Sequence, residues 1–325
     1  MPAPPAPVSG AQRLGAPPRS TLVVIGNFDG VHLGHRAVLE ASLAEARALG
    51  LRPVALTFDP HPSKVLGRGE LPALTTLARK IELFARYCPE LTVVVEPFTR
   101  ELAQLTPEEF AERLLAGALS ARRVVVGKNF RFGRGRSGDL ALLATLGERF
   151  GFDARSELLH GDAGGAYSST RIRAALATGD LGLAEAMLGR PHALTGQVVA
   201  GAGRGRTIGV PTVNLAGVAE ALPPYGVYAC LVDELTPGGP RVLARAVANI
   251  GERPTVGAGF SVEAHLLDFG ADLYGRELRL HLVARLREER RFEGLEALQA
   301  QIARDIGAAR AALAEREPCA GAAWY

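Results

Sequence analysis

The chain predicts two domains of different class, a parallel α/β sheet followed by a small antiparallel β-barrel with a terminal helix. Three observations carry this. At 325 residues the chain is long for one domain. Up to about residue 190, short β-branched runs alternate with helical patterns, the signature of a parallel, doubly wound sheet. Beyond it, strand-like runs follow one another through Gly- and Pro-rich connections with no helix between them. The change near Gly189–Pro191 sets the expected domains at 20–188 and 189–325, after a leader at 1–19.

The elements follow in order. The leader, "MPAPPAPVSGAQRLGAPPRS" with Ser20, is rich in Pro, Ala and Gly and is expected to be flexible. Leu22–Ile25 reads as the first strand, and Arg36–Leu49 as a helix with Val38, Leu39, Leu43 and Ala46 on one face, ended by Gly50. Val54–Phe58, Thr92–Val95 and Val124–Val126 read as further strands. Thr106 is an expected N-cap before Pro107, with Glu109 placed for a capping box. In the second domain the strands are Leu194–Ala200, Tyr225–Val232, Leu243–Ile250, Ser261–Phe269 and Glu277–Leu286, and a helix runs from Leu295 to about Ala314.

Composition narrows the function. A net charge of +3 and the lack of an interleaved aromatic platform argue against nucleic acid as a partner. No apolar run approaches the roughly 18 residues of a membrane span, and the leader lacks the apolar core of a signal peptide. Cys88, Cys230 and Cys319 stand singly, without disulfide or metal spacing, which suits a reducing cytoplasm. Oligomeric state stays open, a homo-oligomer included.

"GNFDGVHLGH" (Gly26–His35) follows the first strand. In open α/β sheets ligands bind beyond the carboxyl ends of the strands. Gly26 and Gly30 permit a tight turn and a close backbone approach, and a helix starting near Gly34 aims its free N–H groups at the same place, an anion site. His32 and His35, three apart, can donate to the same phosphate oxygens. An ordinary turn with chance histidines and metal ligation by the pair are the alternatives.

Three more segments follow in order: "TFDPHP" (Thr57–Pro62), "GKNFRFGRGRSGD" (Gly127–Asp139) and "SSTRIR" (Ser168–Arg173). Histidine–x–Gly–His after a first strand resembles the nucleotidylyltransferase superfamily. The ordered set over residues 20–185 is similar to the adenylyltransferase half of prokaryotic bifunctional riboflavin kinase/FAD synthetases. The resemblance implies a Rossmann-like α/β nucleotidylyltransferase domain in which His32 and His35 bind the ATP phosphates, with Gly26, Phe28, Asp29, Gly30 and Gly34 around them. It implies that Asn129 and Phe130 line the flavin cleft and that Ser168, Thr170 and Arg173 close over the leaving pyrophosphate. Asn129 stands where relatives often carry Asp, and Tyr167 where a small aliphatic residue is usual.

In the second domain "GAGRGRTIGVPTVNL" (Gly201–Leu215) places Gly201, Gly203, Gly205 and Gly209 in a loop that could cradle phosphates, with Arg206 among them. It is no Walker A motif, and a Gly-rich hairpin turn is the plain alternative. Thr212 and Asn214, two apart on an extended segment, offer oxygen ligands for Mg²⁺. The segment resembles the riboflavin kinase signature, with Val213 in place of its alanine. "PYGVYA" (Pro224–Ala229), "NIGERPTV" (Asn249–Val256) and "VEAHLLDFGADLYG" (Val262–Gly275) follow in that family's order. The resemblance, over about 188–315, implies a six-stranded flavokinase barrel with Glu263 as base for the ribityl hydroxyl. Period-2 alternation puts Glu263, His265 and Leu267 on one face and Val262, Ala264 and Leu266 on the other, so a solvated outer-face Glu263 is the competing reading.

Together these imply one chain with two ATP-dependent reactions: riboflavin to FMN, then FMN to FAD with release of pyrophosphate. Riboflavin, FMN and ATP are the expected small-molecule partners, and Mg²⁺ the expected metal. The alternatives are a chain with one active half and a flavin- or nucleotide-sensing protein without turnover.

Overall fold

The structure, a computed structural model, describes residues 6–67, 69, 71–157, 160–201, 209–252, 259–318 and 323–325. Contacts divide the chain into two compact units. The N-terminal unit runs to Leu71 and over Leu77–Ser168; the C-terminal unit takes Pro72–Thr76 and Ser169–Tyr325. This division falls earlier than the change of texture at 189 because, of two helices beyond Ser168, the second packs on the barrel and the first packs on the second.

The N-terminal unit is a six-stranded parallel sheet with helices around it. Its strands are β1 (Val8–Ser9), β2 (Thr21–Ile25), β3 (Arg52–Asp59), β4 (Thr92–Pro97), β5 (Ala121–Gly127) and β6 (Asp153–Glu157), in spatial order β1-β4-β3-β2-β5-β6. Every residue of β2 is buried, as its apolar run requires in the middle of a parallel sheet. The order reverses between β2 and β5, so the crevice at their carboxyl ends is the switch point where such sheets bind ligands. Helix α1 (Leu33–Leu49) starts about a turn before the expected Arg36 and ends on Gly50 in the left-handed conformation. After it come α2 (Pro62–Val65), α3 (Leu77–Tyr87), α4 (Arg100–Gln104) and α5 (Pro107–Glu109), which continues as a π-helix over Phe110–Ala118; α6 is Leu140–Phe150. The capping box forms: the Glu109 N–H donates to Thr106 Oγ1 at 3.1 Å and the Thr106 N–H to Glu109 Oε2 at 3.0 Å.

The leader departs from expectation. Val8–Ser9 pairs in parallel with Val94–Val95, a 3₁₀ turn at Ala11–Arg13 follows, and Ala11 and Leu14 are buried in the sheet core. The Gly10 N–H donates to the Val95 carbonyl at 2.9 Å, and the Ala11 N–H to Glu96 Oε2 at 2.5 Å. Apolar side chains three residues apart, on a chain otherwise rich in Pro and Gly, suffice to seat it on the sheet edge.

In the C-terminal unit, a short hairpin of β7 (Gly161–Asp162) and β8 (Gly165–Ala166) having closed the N-terminal one, α7 (Ser169–Thr178) and α8 (Leu181–Leu188) lead into a closed barrel. Its strands are β9 (His192–Val199), β10 (Val213–Ala216), β11 (Gly226–Thr236), β12 (Gly239–Glu252), β13 (Phe260–Leu266) and β14 (Glu277–Arg287), ordered β10-β13-β12-β11-β14-β9. The closing strand β10 is too short to stand out in the sequence. Helix α9 (Leu295–Leu313) covers one outer face, where Ala309, Leu313 and Trp324 pack on Ala229 and Leu231. Arg287 holds Asp305 of α9 through Nε and Nη2 at 2.9–3.1 Å. Asp233, fully buried, accepts from His281 Nε2 at 2.9 Å and from the Trp324 N–H at 3.1 Å. Residues 72–76 belong to this unit, with the Ala221 N–H donating to the Ala73 carbonyl at 2.7 Å. No helix among the described residues is long and apolar enough to cross a membrane.

Candidate functional site

At the tip of β2 the chain turns through three residues with positive φ: Phe28 at 50°, Gly30 at 86° and Val31 at 39°. A β-branched residue there is an outlier, and each such residue is strained by about 1–3 kcal/mol. Packing holds the turn in place. Phe28 is buried and meets the rings of His35 and Phe84 edge-on, each at 5.3 Å. Val31, Asp29 and His32 are buried as well.

His32 is the N-cap of α1. Its Nδ1 accepts the His35 N–H at 3.2 Å, so a neutral ring in this role carries its proton on Nε2. The two imidazoles stack at 3.6 Å, 20° from parallel. Burial first, then His32 and the Lys80 ammonium, hold His35 well below the usual imidazole range, so its ring is neutral at pH 7. Among the described residues, its buried Nδ1 has no hydrogen-bond partner. The pair therefore sets two ring donors, that of His35 neutral, on a helix N-terminus.

A Cβ on Gly26 would stand 3.1 Å from the Phe28 ring, and one on Gly34 3.1 Å from the His32 ring and 3.3 Å from Tyr167 Cβ. These positions make room for the site's own side chains. Gly30 remains the position that needs a left-handed backbone.

Across the switch point, Asn129 is exposed after β5, and half-buried Phe130 stacks on Phe132 at 5.5 Å, 14° from parallel. The "SSTRIR" segment is divided: Ser168 ends the N-terminal unit, while Thr170 and Arg173 belong to α7 in the C-terminal unit. There Arg173 Nε donates to the Pro72 carbonyl at 2.8 Å. Lys80 on α3 has no counterpart in the sequence reading. It is 7 % exposed, with Nζ 3.5 Å from Thr57 Oγ1. Its place on the stripe with Leu83 and Phe84 is the signal that could have found it.

On the barrel, Asn214 of β10, Glu263 of β13 and Asn249 of β12 are Cα partners in register, so their side chains share one face. Their strand neighbours Leu215, Val262, Ala264, Ala248 and Ile250 are buried, which puts the three polar groups on the outer face, half-buried. The competing reading of Glu263 was right about the face, yet the residue is flanked by carboxamides rather than isolated. Leu267 departs from the alternation: β13 ends at Leu266, and Leu267 is buried. Val213 pairs with Ala264, away from the polar row. Asn249, which sequence reasoning left without a role, donates from Nδ2 to Glu289 Oε1 at 3.1 Å.

Thr212 is half-buried just before β10, and His265 Nδ1 lies 2.8 Å from the Pro211 carbonyl beside it. A Cβ on Gly201 would fall 2.1 Å from Asn214 Nδ2, so this glycine too admits a side chain of the site. Gly209 has φ 79°, with open space around it. Gly203, Gly205 and Arg206 lie outside the described residues. Among those described, no group of three or more His, Cys, Asp or Glu could hold a metal. Thr212 and Asn214 carry a hydroxyl and a carboxamide, and Asn214 is the register partner of Glu263.

Comparison with known proteins covers both units. The family model of FAD synthetase matches residues 15–171 and that of riboflavin kinase residues 188–313. The bifunctional riboflavin kinase/FMN adenylyltransferase of Escherichia coli K12 is 43% identical over 297 residues, covering 91% of this chain and 93% of its own. The Pseudomonas fluorescens enzyme of the same description is 38% identical, covering 94% and 96%, and that of Bacillus subtilis 35%, covering 88% and 90%. A Streptococcus pneumoniae crystal structure described as a macrolide-efflux protein superposes with a TM-score of 0.79 at 28% identity, over 94% of this chain and 98% of that one. With a parallel α/β unit ahead of a closed six-stranded barrel, and relatives alike over nearly their whole length, the chain belongs to the bifunctional riboflavin kinase/FMN adenylyltransferase family.

Proposed function

We propose that the two units divide the two reactions of the family. The barrel transfers a phosphoryl group from ATP to the terminal ribityl hydroxyl of riboflavin. The N-terminal unit then joins FMN to the adenylyl group of a second ATP and releases pyrophosphate. The observation that carries this is the difference in chemistry between the polar constellations: stacked imidazoles on a helix N-terminus in one unit, a carboxylate in register with two carboxamides in the other.

Adenylyl transfer needs no side-chain nucleophile, because an FMN phosphate oxygen attacks the α-phosphorus directly. The protein's task is alignment and charge stabilisation. In this reading His32 Nε2 and the His35 ring donate to phosphate oxygens over the α1 N-terminus. Asn129 and Phe130 meet the flavin from the β5 side, and Ser168, Thr170 and Arg173 serve the leaving pyrophosphate.

Phosphorylation needs the ribityl hydroxyl to lose its proton. Glu263 accepts it, with Asn214 and Asn249 as its neighbours across the strands. Thr212 and Asn214 are the oxygen donors that would hold Mg²⁺, which neutralises phosphate charge when bound. Gly201, Gly203, Gly205, Arg206 and Gly209 belong to the ATP side of this reading.

The test is incubation with riboflavin, ATP and Mg²⁺, resolving the three flavins by chromatography over time. FAD formed through FMN is expected. FMN without FAD leaves the kinase alone, and neither product leaves a flavin-binding protein without turnover.

A further inference from the structure

Lys80 is a buried cation that neither reaction as described above uses. Helix α3 carries it on the stripe that packs into the sheet, one residue type that rarely sits there without a partner. Its ammonium lies 3.5 Å from Thr57 Oγ1 at the end of β3, and that hydroxyl donates to the Asn27 carbonyl at 3.2 Å. Asn27 opens the turn in which Phe28, Gly30 and Val31 take left-handed conformations. The path from α3 thus ends on the backbone of the strained turn.

We propose that Lys80 is a positioning residue for adenylyl transfer, bracing the Asn27 carbonyl through Thr57 and matching the carboxylates of Asp29 and Asp59. The inference rests on reading the β2 turn as the ATP phosphate site. Burial pushes the Lys80 pKa down, while the charges of Asp29 in the turn and Asp59 on β3 support its charged form. A positive ammonium here has a second effect. The groups acting on the His35 charge are His32 from the turn and Lys80 from α3, both disfavouring the imidazolium. Lys80 therefore links two properties of the site, the fixed path of the turn and the neutral state of its imidazole donor. An apolar side chain of the same length would fill the space and supply neither.

The experiment compares Lys80→Met and Lys80→Arg with the parent chain. FAD formation from added FMN is followed between pH 5 and 9, and riboflavin phosphorylation by the same chain reports on folding of the other unit. Lys80→Met is expected to lower the kcat of adenylyl transfer at least about tenfold, with the KM for ATP changed less than about threefold. Its acid limb should move to higher pH, since His35 loses a neighbour that opposes protonation. Lys80→Arg should keep the acid limb in place. An unchanged kcat in Lys80→Met, or an acid limb that stays where it was, overturns the proposal. Should that variant fail to fold, Thr57→Val decides. It cuts the bridge without removing charge, and is expected to lower kcat while leaving the acid limb unmoved; an unaltered kcat is the overturning result. His35→Ala separates this from the wider reading: if it too makes FAD at the parental rate, the turn is not the phosphate site at all.

Discussion

The two sites are built by opposite means. The N-terminal one centres on a single run of ten residues, locked by burial of Phe28, Val31 and His32 into a backbone with positive φ at Phe28, Gly30 and Val31. The barrel's polar row is flat and unstrained, and comes from three strands whose residues are far apart in sequence but adjacent in register. A strained turn preorganises donors before substrate arrives, so its cost is borne by the core behind it. A strand row takes its geometry from the sheet ladder and needs no special conformation. The glycines are common to both: at Gly26, Gly34 and Gly201 the missing Cβ leaves space for a neighbouring side chain of the same site.

The largest effects should separate the two sites cleanly. His35→Ala is expected to slow FAD formation from FMN by about 10²–10³-fold, the usual loss for one positioned donor, with riboflavin phosphorylation continuing. Glu263→Gln keeps size and hydrogen bonding but cannot take a proton; it should slow FMN formation by at least about 10²-fold and spare FAD formation from added FMN. Assaying both steps in both variants checks the separation, and loss of the two activities together in either variant would break it. A smaller effect is expected from replacing Thr212 and Asn214 by Ala. The Mg²⁺ concentration for half-maximal phosphorylation should rise, and an unchanged Mg²⁺ dependence removes them as ligands.

The smallest effect concerns where the barrel unit begins. A fragment starting at Ser169 should phosphorylate riboflavin and unfold at a higher temperature than one starting at Arg190. Helix α8 buries Leu181, Ala184, Met187 and Leu188, and each large apolar side chain contributes about 1.5–3 kcal/mol. Both fragments lack residues 72–76, so the comparison isolates α7 and α8. Equal thermal stability would return the boundary to 189.

That boundary illustrates what a sequence displays and what it withholds. Strands β2, β3, β4 and β5 were legible because β-branched runs in a buried parallel sheet have no polar interruptions. Strand β6, with the sequence DARSE, and two-residue β1 carry no such run. Helices α7 and α8 lie just before the change of texture at 189, and a change of texture cannot say which domain such helices join. Local chemistry was readable where neighbours in the chain are neighbours in space, as with His32 and His35. Asn249 was visible only as part of a motif, because its place beside Glu263 depends on the β12–β13 register. Lys80 was hidden for a related reason, since a lysine in an amphipathic helix normally marks its wet side.

The pairing of Val8 and Ser9 with β4 bears on how the protein behaves when shortened. A chain trimmed to begin at Thr21 would keep both sites, yet it would bare the outer backbone of β4 at Val94 and Val95. It would also uncover the core once roofed by Ala11 and Leu14. An apolar strand with open N–H and C=O groups is a template for another copy of itself. The first residues thus act as a stopper against self-association, and trimming them trades a seemingly dispensable tail for a sticky edge.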